Sequence, residues 1–368
     1  MLPVGFVLML TMAVQGDGLP PIQTVFVIVM ENLDWSAFKG STDAPYINNA
    51  LLPTGSYCEQ YYNPPGLHPS LPNYLWLEAG TNFGIYSTLT PATAHQATTN
   101  HLSALLTRVG VSWRAYQEDI SGTYVPLDNT NLYAVRHDPF VYFDDVSGTN
   151  NSNWAFGIAH IRPYEELAAD LTNNTVARYN FITPNLCHDG HDTCSPLDNP
   201  VGQIDSWLAG AVPAILQSAA YTNGGALFIT WDEGAAPSDG PIGMIVLSPH
   251  AKGGGYSNSI HYTHSSFLRT LQEIFGVMPL LGDAVNAPDL GDLFARYAVS
   301  EACWVPNGGF QLTVAGAMPG RTNVVQVSTN LREWSGLCTN ICATNAFSVL
   351  DPAASAFGRR YYRAVQLP

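Results

Sequence analysis

The chain has 368 residues, 46% of them hydrophobic, and a formal net charge of −15. That hydrophobic content is enough to form the cores of one large and one small domain, so a wholly disordered chain is excluded. The acidic charge argues against non-specific nucleic-acid binding, which depends on Lys and Arg contacts to phosphates, whereas a bound cation would still admit an anionic substrate.

The N-terminal segment Leu2–Val14 is apolar and is followed by Gln15-Gly16-Asp17-Gly18. It is too short to span a bilayer and resembles the hydrophobic region of a secretory signal, although it lacks a basic residue. A buried N-terminal strand is the alternative interpretation. We predict a signal peptide over residues 1–18 and therefore a secreted or periplasmic protein, exported by a bacterium. No transmembrane segment is predicted elsewhere.

The run Thr24–Met30 is continuously apolar and rich in β-branched residues. Such a run predicts a strand that is buried on both faces, as in a parallel sheet. The run ends at Glu31 and Asn32, and in open α/β sheets ligands bind beyond the carboxyl ends of the strands. We therefore predict that Glu31 and Asn32 hold a metal ion.

A Pro-rich loop ends at His68, and Leu71–Ala79 predicts a helix with a proline in its first turn. Ser70 would then be the N-cap. Its hydroxyl could simply cap the helix, or it could be a nucleophile, because a helix N-terminus suits a phosphate. His68 and Asn73 would then contact the phosphate or the leaving group. The sequence around Ser70 is not the Gly-x-Ser-x-Gly motif, which argues against the Ser-His-Asp triad of α/β-hydrolases.

Helical and strand patterns alternate over the next part of the chain, which predicts an α/β fold with a mostly parallel sheet flanked by helices. The predicted helices are Tyr46–Leu52, His101–Val109, Arg162–Asn173, Gln203–Ala219 and Ser266–Phe275, and the predicted strands are Val111–Gln117, Arg178–Thr183, Gly225–Trp231 and Ile242–Ser248. Between them, Ser121–Trp154 is loop-rich, which is typical of a substrate entrance or an insertion.

The loop after Thr183 contains the densest cluster of ligand-type side chains in the chain: His188, Asp189, His191 and Asp192. A polar turn held by a disulfide is the alternative interpretation. We favour a functional loop, whose target would be either a second metal ion or the phosphate of the substrate.

The predicted strand Gly225–Trp231 ends, like the first strand, in two polar side chains, Asp232 and Glu233. One such pair could be a solvated turn, but two oxygen-rich pairs after two buried strands favour a hard divalent cation. His264 immediately precedes the last helix of this region. It is predicted to be a ligand or a proton donor, a cap being the alternative.

The six cysteines would form disulfides in an exported protein. Cys187–Cys194 and Cys338–Cys342 are plausible local bridges, although pairing cannot be determined from sequence. Neither pair has the two-plus-two spacing of a structural zinc motif, so a zinc site is not favoured.

Composition changes near residue 304. Residues 1–303 carry 9 basic and 27 acidic side chains, a net charge of −18. Residues 304–368 carry 5 basic and 2 acidic side chains, a net charge of +3. Short strand patterns near Phe310, Val324, Phe347 and Tyr361 predict a small C-terminal all-β sandwich. An extension of the main sheet is the alternative. We predict a catalytic domain over 19–300 and an accessory domain over 304–368 that could contact a cell surface or a glycan.

Five segments occur in a recognisable order: VFVIVMEN, HPSLPNY, TPNLCHDGHD, ITWDEG and YTHSSFLRTLQEIFG. Together they resemble the phosphoesterase family that contains secreted acid phosphatases and bacterial phospholipases C, within the alkaline-phosphatase-like superfamily. The resemblance covers about Thr24–Asp292. The segment that begins at Glu31 departs from the Glu-Asn-x-Ser-Phe-Asp signature of the phospholipases, so the phosphatase branch is the better match.

The resemblance implies a secreted, metal-dependent phosphomonoesterase that acts through a serine phosphoenzyme and uses one or two divalent ions. It implies metal ligands at Glu31, Asn32, Asp232 and Glu233, catalytic residues at Ser70 (the nucleophile), His68, His191 and His264, and substrate contacts at Asn73, His188 and Asp189. Three alternatives stay open: a phospholipase C-type phosphodiesterase, a metal-independent serine hydrolase and a non-catalytic surface-binding protein.

Overall fold

The structure is a computed structural model that describes residues 19–235, 239–295, 297–305, 308–317, 320–344 and 346–366. The predicted signal peptide, residues 1–18, lies outside these ranges. The chain divides into two compact units, and Pro21–Leu293 forms the larger one. Phe294–Pro368 belongs to the smaller unit. The functional division into a catalytic and an accessory domain stays a prediction.

The larger unit is built on an eight-stranded sheet, together with a separate two-stranded one. The strands are β1 Val25–Met30, β2 Ser56–Cys58, β3 Tyr61–Tyr62, β4 Trp113–Gln117, β5 Ile161–Pro163, β6 Tyr179–Thr183, β7 Ala226–Trp231, β8 Met244–Leu247, β9 Tyr256–Asn258 and β10 Tyr262–Thr263. The order in the large sheet is β5-β4-β6-β1-β7-β8-β2-β9, and β3 pairs with β10. Neighbouring strands are parallel except where β8 meets β7 and β2.

Helices connect these strands, as the alternating pattern predicts. They are α1 Trp35–Phe38, α2 Leu52–Thr54, α3 Ser70–Ala79, α4 Pro91–Ala94, α5 Leu102–Arg108, α6 Asp144–Ser147, α7 Ala155–His160, α8 Glu166–Asn173, α9 Pro200–Gln217, α10 Ala219–Thr222 and α11 His264–Phe275. Short 3₁₀ turns span Val135–His137, Pro139–Tyr142, Gly282–Val285 and Gly291–Leu293, and a π turn spans Ile47–Leu51. In the part of the chain that is described, no helix is long and apolar enough to cross a membrane.

The central strands are the most buried part of the larger unit. All six residues of β1 and all six of β7 are buried, because helices cover both faces of the parallel part of the sheet. The predicted fold class of this unit is therefore confirmed, and the ends of β1 and β7 lie side by side, with Met30 opposite Trp231.

The smaller unit consists of two three-stranded antiparallel sheets, β11-β12-β15 and β14-β13-β16. Its strands are β11 Ala298–Val305, β12 Gly309–Ala315, β13 Thr322–Ser328, β14 Ser335–Ile341, β15 Ala346–Asp351 and β16 Tyr361–Gln366. The core contains Phe310, Leu312, Val314, Val325, Val349 and Ala354. The all-β prediction is confirmed, although the sequence pattern identified neither β11 nor β14.

One of the two predicted disulfides is present and the other is not. Cys187 and Cys194 are bonded, with their Cα atoms 5.6 Å apart. Cys338 and Cys342 are not joined to each other, and this part of the prediction was wrong. Cys338 lies within the extended strand β14, and four residues of extended chain span about 13 Å, well beyond the reach of a disulfide.

Candidate active site

Parallel pairing brings the two acidic strand ends together. β7 lies next to β1 in register, so Asp232 and Glu233 follow β7 at the same edge of the sheet where Glu31 and Asn32 follow β1. The backbone N–H of Asn32 donates to Asp232 Oδ1 at 3.2 Å. When its amide is oriented by hydrogen bonding, Asn32 also donates to Glu31 Oε2 at 3.0 Å and to Glu233 Oε1 at 3.1 Å. The four predicted metal ligands are thus neighbours.

Ser70 faces this group from the start of α3. Its Oγ donates to Glu31 Oε2 at 3.0 Å, and its hydroxyl also lies beside Asp232. The predicted N-cap position was wrong: the helix begins at Ser70 itself, and its N-cap is Pro69. The Ser70 hydroxyl is therefore not used to cap the helix, and it is directed at the carboxylates.

The residues around Ser70 hold Glu233 in place. Asn73, in the first turn of α3, donates to Glu233 Oε2 at 3.3 Å and to the Leu67 carbonyl at 2.8 Å. His68 Nδ1 lies 2.5 Å from the same carboxylate oxygen, and its Nε2 lies 3.3 Å from Asp239. His68 and Asn73 therefore join the site through a predicted metal ligand, and their predicted contacts to substrate stay predictions.

The loop closed by the Cys187–Cys194 bond, called the disulfide loop below, contributes Asp189 and His191 to the site. Asp189 is buried, and its backbone carbonyl accepts from the N–H of Glu31 at 2.9 Å, which ties the loop to the end of β1. The His191 backbone N–H donates to Asp189 Oδ1 at 2.8 Å. His188 turns instead to Glu118 at the end of β4, with Nδ1 2.8 Å from Oε2. Its side chain is 44% exposed, so it does not join the buried group.

His264 lies behind Asp232. Its Nε2 is 2.6 Å from the backbone carbonyl of Asp232, and its Nδ1 is 2.9 Å from the Tyr61 hydroxyl. Burial lowers the pKa of His264 to about 4, partly opposed by the hydrogen bond to Asp232, so a neutral ring is favoured. Both ring nitrogens are engaged, an arrangement suited to holding Asp232 in place. The predicted role in proton donation stays a prediction.

Two residues of the site were missed by the sequence analysis, Arg136 and His137. His137 is buried, with Nε2 3.2 Å from Glu31 Oε1 and Nδ1 3.2 Å from Asp189 Oδ2. Its ring stacks on that of Tyr74 of α3, with centroids 5.1 Å apart. Both residues lie in a 3₁₀ turn inside the loop-rich region, where no strand end marks them. The sequence feature that could have indicated these two residues is the charged run Arg-His-Asp within the otherwise apolar stretch from Ala134 to Phe143.

The site concentrates negative charge in a buried environment. Burial raises the pKa of Asp232 to about 7, and burial together with Asp232 raises that of Glu233 to about 9. Burial and the neighbouring Asp232 and Asp189 raise the pKa of Glu31 well above its usual range. For His137, burial, Arg136 and His191 lower the pKa well below its usual value. Such a site favours a bound cation, because burial penalises charge that lacks a partner.

The donor atoms fit a divalent metal ion. Glu31 Oε1, His137 Nε2, Asp189 Oδ2 and Asp232 Oδ2 are buried and make no hydrogen bond within the described part of the chain. Glu31, His137 and Asp189 each offer a ligand atom within 4.8 Å of the others. Glu31 thus has one oxygen towards Ser70 and Asn32 and the other towards His137. Carboxylate oxygens with an imidazole are an ordinary ligand set for divalent ions.

Comparison with known proteins identifies the family. The Phosphoesterase family model matches residues 36–278. A phosphatidylinositol-3-phosphatase of Mycobacterium tuberculosis is 29% identical over 76% of this chain and 85% of its own length. A phosphate-repressible acid phosphatase of Penicillium chrysogenum is 27% identical over 58% of this chain and 51% of its own length. The chain thus spans about half the length of that fungal relative.

A solved structure of a Vibrio parahaemolyticus protein in the alkaline phosphatase superfamily is 12% identical, with a TM-score of 0.49 over 88% of this chain and 83% of that one. The chain belongs to the phosphoesterase family, on the extent of the family match. The resemblance seen in the sequence is confirmed, and so is the predicted enzyme class, a hydrolase of phosphoric ester bonds.

Proposed function

We propose that the chain is an exported, divalent-metal-dependent phosphomonoesterase of the acid phosphatase type, with Ser70 as its nucleophile. The observation that carries the proposal is the position of the Ser70 hydroxyl, which lies at the N-terminus of α3 and 3.0 Å from Glu31 Oε2. The Cys187–Cys194 disulfide and the apolar segment Leu2–Val14 support export.

The residues present fit one or two metal ions. Glu31, Asp232 and Glu233 would hold an ion beside Ser70, joined by the Asn32 side-chain oxygen once the amide turns from its hydrogen-bonded orientation to face the ion. The second oxygen of Glu31 would hold another ion together with His137 and Asp189. When bound, a divalent cation supplies the positive charge that favours an ionised hydroxyl and neutralises the phosphate.

The reaction then follows from the chain's own groups. Ser70 Oγ attacks phosphorus, an Oγ–P bond forms, and the P–O bond to the leaving alcohol breaks. The hydrogen bond to Glu31 Oε2 holds the Ser70 hydroxyl beside the proposed metal ligands, and the hydroxyl proton passes to solvent when the hydroxyl ionises. The free N–H groups of the first turn of α3 face the incoming phosphate. His68 is partly exposed and is our candidate to protonate the leaving alcohol. Water hydrolyses the phosphoserine in a second step.

A hydrolysis panel tests the proposal. It would compare p-nitrophenyl phosphate, bis-p-nitrophenyl phosphate and phosphatidylinositol 3-phosphate, with and without EDTA. The lipid is included because the Mycobacterium tuberculosis relative is named for it. We expect monoester turnover that EDTA abolishes and a divalent ion restores, and a phosphoserine at Ser70 that mass spectrometry detects after acid quenching.

Other outcomes of the panel would favour other functions. A preference for the diester would favour a phospholipase C-type phosphodiesterase. Turnover that survives EDTA would favour a metal-independent serine hydrolase. No turnover with any ester or metal would favour a surface-binding protein.

A further inference from the structure

Arg136 is a basic side chain beside the acidic site that the reaction described above does not use. It precedes His137, whose ring contacts Glu31 and Asp189. Burial raises the pKa of both carboxyl groups, and the positive charge of Arg136 opposes that increase. Within the described residues, no carboxylate lies within ion-pair distance of Arg136, and its guanidinium contacts a ring nitrogen of His191. Its charge is therefore available to an anion.

A chain of hydrogen bonds fixes the direction of this guanidinium. Arg136 Nη2 lies 2.9 Å from His191 Nε2, and His191 Nδ1 lies 2.8 Å from Asp192 Oδ1. A guanidinium can only donate, so His191 Nε2 must accept and the ring proton must lie on Nδ1, facing Asp192. Asp192 therefore fixes the ring tautomer, and the ring orients Arg136.

The backbone ties the same two segments together. The N–H of Leu186, immediately before the disulfide loop, donates to the carbonyl of Leu132, four residues before Arg136, at 3.0 Å. The Cys187–Cys194 bond closes the loop that carries His191 and Asp192. The bond to His191 uses one of the five N–H donors of the guanidinium. The remaining donors form a planar fork whose geometry matches two oxygens of a phosphate.

We propose that Arg136 is a substrate-binding residue that donates hydrogen bonds to non-bridging oxygens of the ester phosphate and thereby favours monoesters over diesters. His191 and Asp192 are its positioning residues. This inference rests on the proposed function. A monoester offers three non-bridging oxygens and up to two negative charges, whereas a diester offers two oxygens and one charge. The contact to Arg136 should therefore contribute more to monoester binding.

Phosphate binding measured by calorimetry tests the inference independently of turnover. The full chain, loaded with the divalent ion that supports its turnover, would be titrated with inorganic phosphate. We expect Arg136→Ala to weaken binding about 10- to 100-fold, because hydrogen bonds to charged groups contribute that much. The phosphate affinity of Arg136→Lys should lie between those of wild type and Arg136→Ala, since lysine keeps the positive charge and loses the planar fork of donors. Arg108→Ala, an exposed arginine at the end of α5, should leave binding unchanged.

The positioning residues require their own readout. Asp192→Asn should raise KM for p-nitrophenyl phosphate while leaving kcat within a few-fold of wild type. Arg136→Ala should also reduce the ratio of kcat/KM for p-nitrophenyl phosphate to that for bis-p-nitrophenyl phosphate. Thermal unfolding checks that each variant is folded, and added guanidinium ion should partly restore phosphate binding to Arg136→Ala.

The inference and the proposed function fail in different ways. If wild type binds phosphate and turns over monoesters, and folded Arg136→Ala binds phosphate within two-fold of wild type, Arg136 does not contact the phosphate and only this inference is wrong. If wild type neither binds phosphate nor hydrolyses any ester, the proposed function is wrong as well.

Discussion

The candidate active site has two sides that are built differently. The strand-end side consists of Glu31, Asn32, Ser70, Asp232 and Glu233, which follow β1 and β7 or begin α3. The loop side consists of Arg136, His137, Asp189, His191 and Asp192, which a 3₁₀ turn and the disulfide loop carry. The sheet ladder fixes the first side, whereas hydrogen bonds such as Arg136 to His191 and a disulfide fix the second.

The two sides also differ in charge. The strand-end side offers carboxylates, an amide and a hydroxyl, which suit a cation. The loop side adds an arginine and two imidazoles to its carboxylates, which suits a phosphate held next to that cation. The comparison teaches that the strand ends would hold the ion beside Ser70, while the loops would hold the phosphate and, through His137 and Asp189, a second ion. Changes on the strand-end side should therefore affect kcat and metal affinity, and changes at Arg136, His191 and Asp192 on the loop side should mainly affect KM.

The largest effect is expected at Ser70. Ser70→Ala removes the proposed nucleophile, so we expect kcat for p-nitrophenyl phosphate to fall by about 10³-fold or more, with no phosphoserine formed. Ser36→Ala, an exposed serine in the first turn of another helix, is the matched control and should keep full turnover. Full turnover in Ser70→Ala would show that the strand-end side does not provide the nucleophile.

Asp232→Asn tests the proposed metal site. The substitution removes one buried negative charge, so we expect metal affinity, measured by calorimetry, to fall by at least about 10-fold. The rise in Tm that saturating metal produces should shrink accordingly. Asp128→Asn, at an exposed position, should change neither quantity. Unchanged metal affinity in Asp232→Asn would remove Asp232 from the proposed metal site.

The disulfide tests the loop side. In Cys187→Ser/Cys194→Ser, two residues seven positions apart in sequence are no longer linked, which should cost about 2.5 kcal/mol of unfolding free energy by the loop-entropy relation. Because the loop carries His191 and Asp192, which position Arg136, we expect KM to rise several-fold with a smaller change in kcat. Urea unfolding and steady-state kinetics measure both effects. Cys303→Ser, an exposed cysteine of the smaller unit, is the control. A fall in kcat with constant KM would contradict the division between the two sides.

The same division determines how much of the site the sequence could predict. Glu31 and Asp232 were found because each directly follows a continuous apolar run, and strand direction alone then brings the two together. Asp189 was found because its loop follows another strand. His137 and Arg136 were missed because a 3₁₀ turn within a long loop has no periodicity, and only the tertiary fold brings it to the end of β1.

Residue type alone did not determine position in the fold. His188 and His191 are three residues apart in one loop, yet His188 pairs with Glu118 and His191 with Arg136. The direction in which each ring points depends on partners far away in the sequence, which no local pattern reports. In the smaller unit, β14 was missed because its strand is largely exposed and carries Cys338, a residue type that suggested a bridge instead.

The smallest expected effect concerns His101, a second buried histidine between two acidic side chains. Its Nδ1 is 3.3 Å from Glu78 Oε1, and its Nε2 is 3.0 Å from Asp145 Oδ1. Burial lowers the pKa of His101, but the hydrogen bonds and charges of Asp145 and Glu78 outweigh it, so the pKa is raised. At His137, by contrast, burial, Arg136 and His191 all lower the pKa.

A raised pKa in the folded state means that protonated His101 stabilises the fold. This contribution is complete below the pKa of the unfolded chain, about 6.5, and is lost as pH rises through the higher folded value. We expect the difference in unfolding free energy between wild type and His101→Gln, measured with urea from pH 5.5 to 9, to shrink as pH rises. His95→Gln, at an exposed pair with Asp144, is the control. If the difference were constant with pH, His101 would be neutral in the fold, and its two acidic neighbours would act no differently from those of His137.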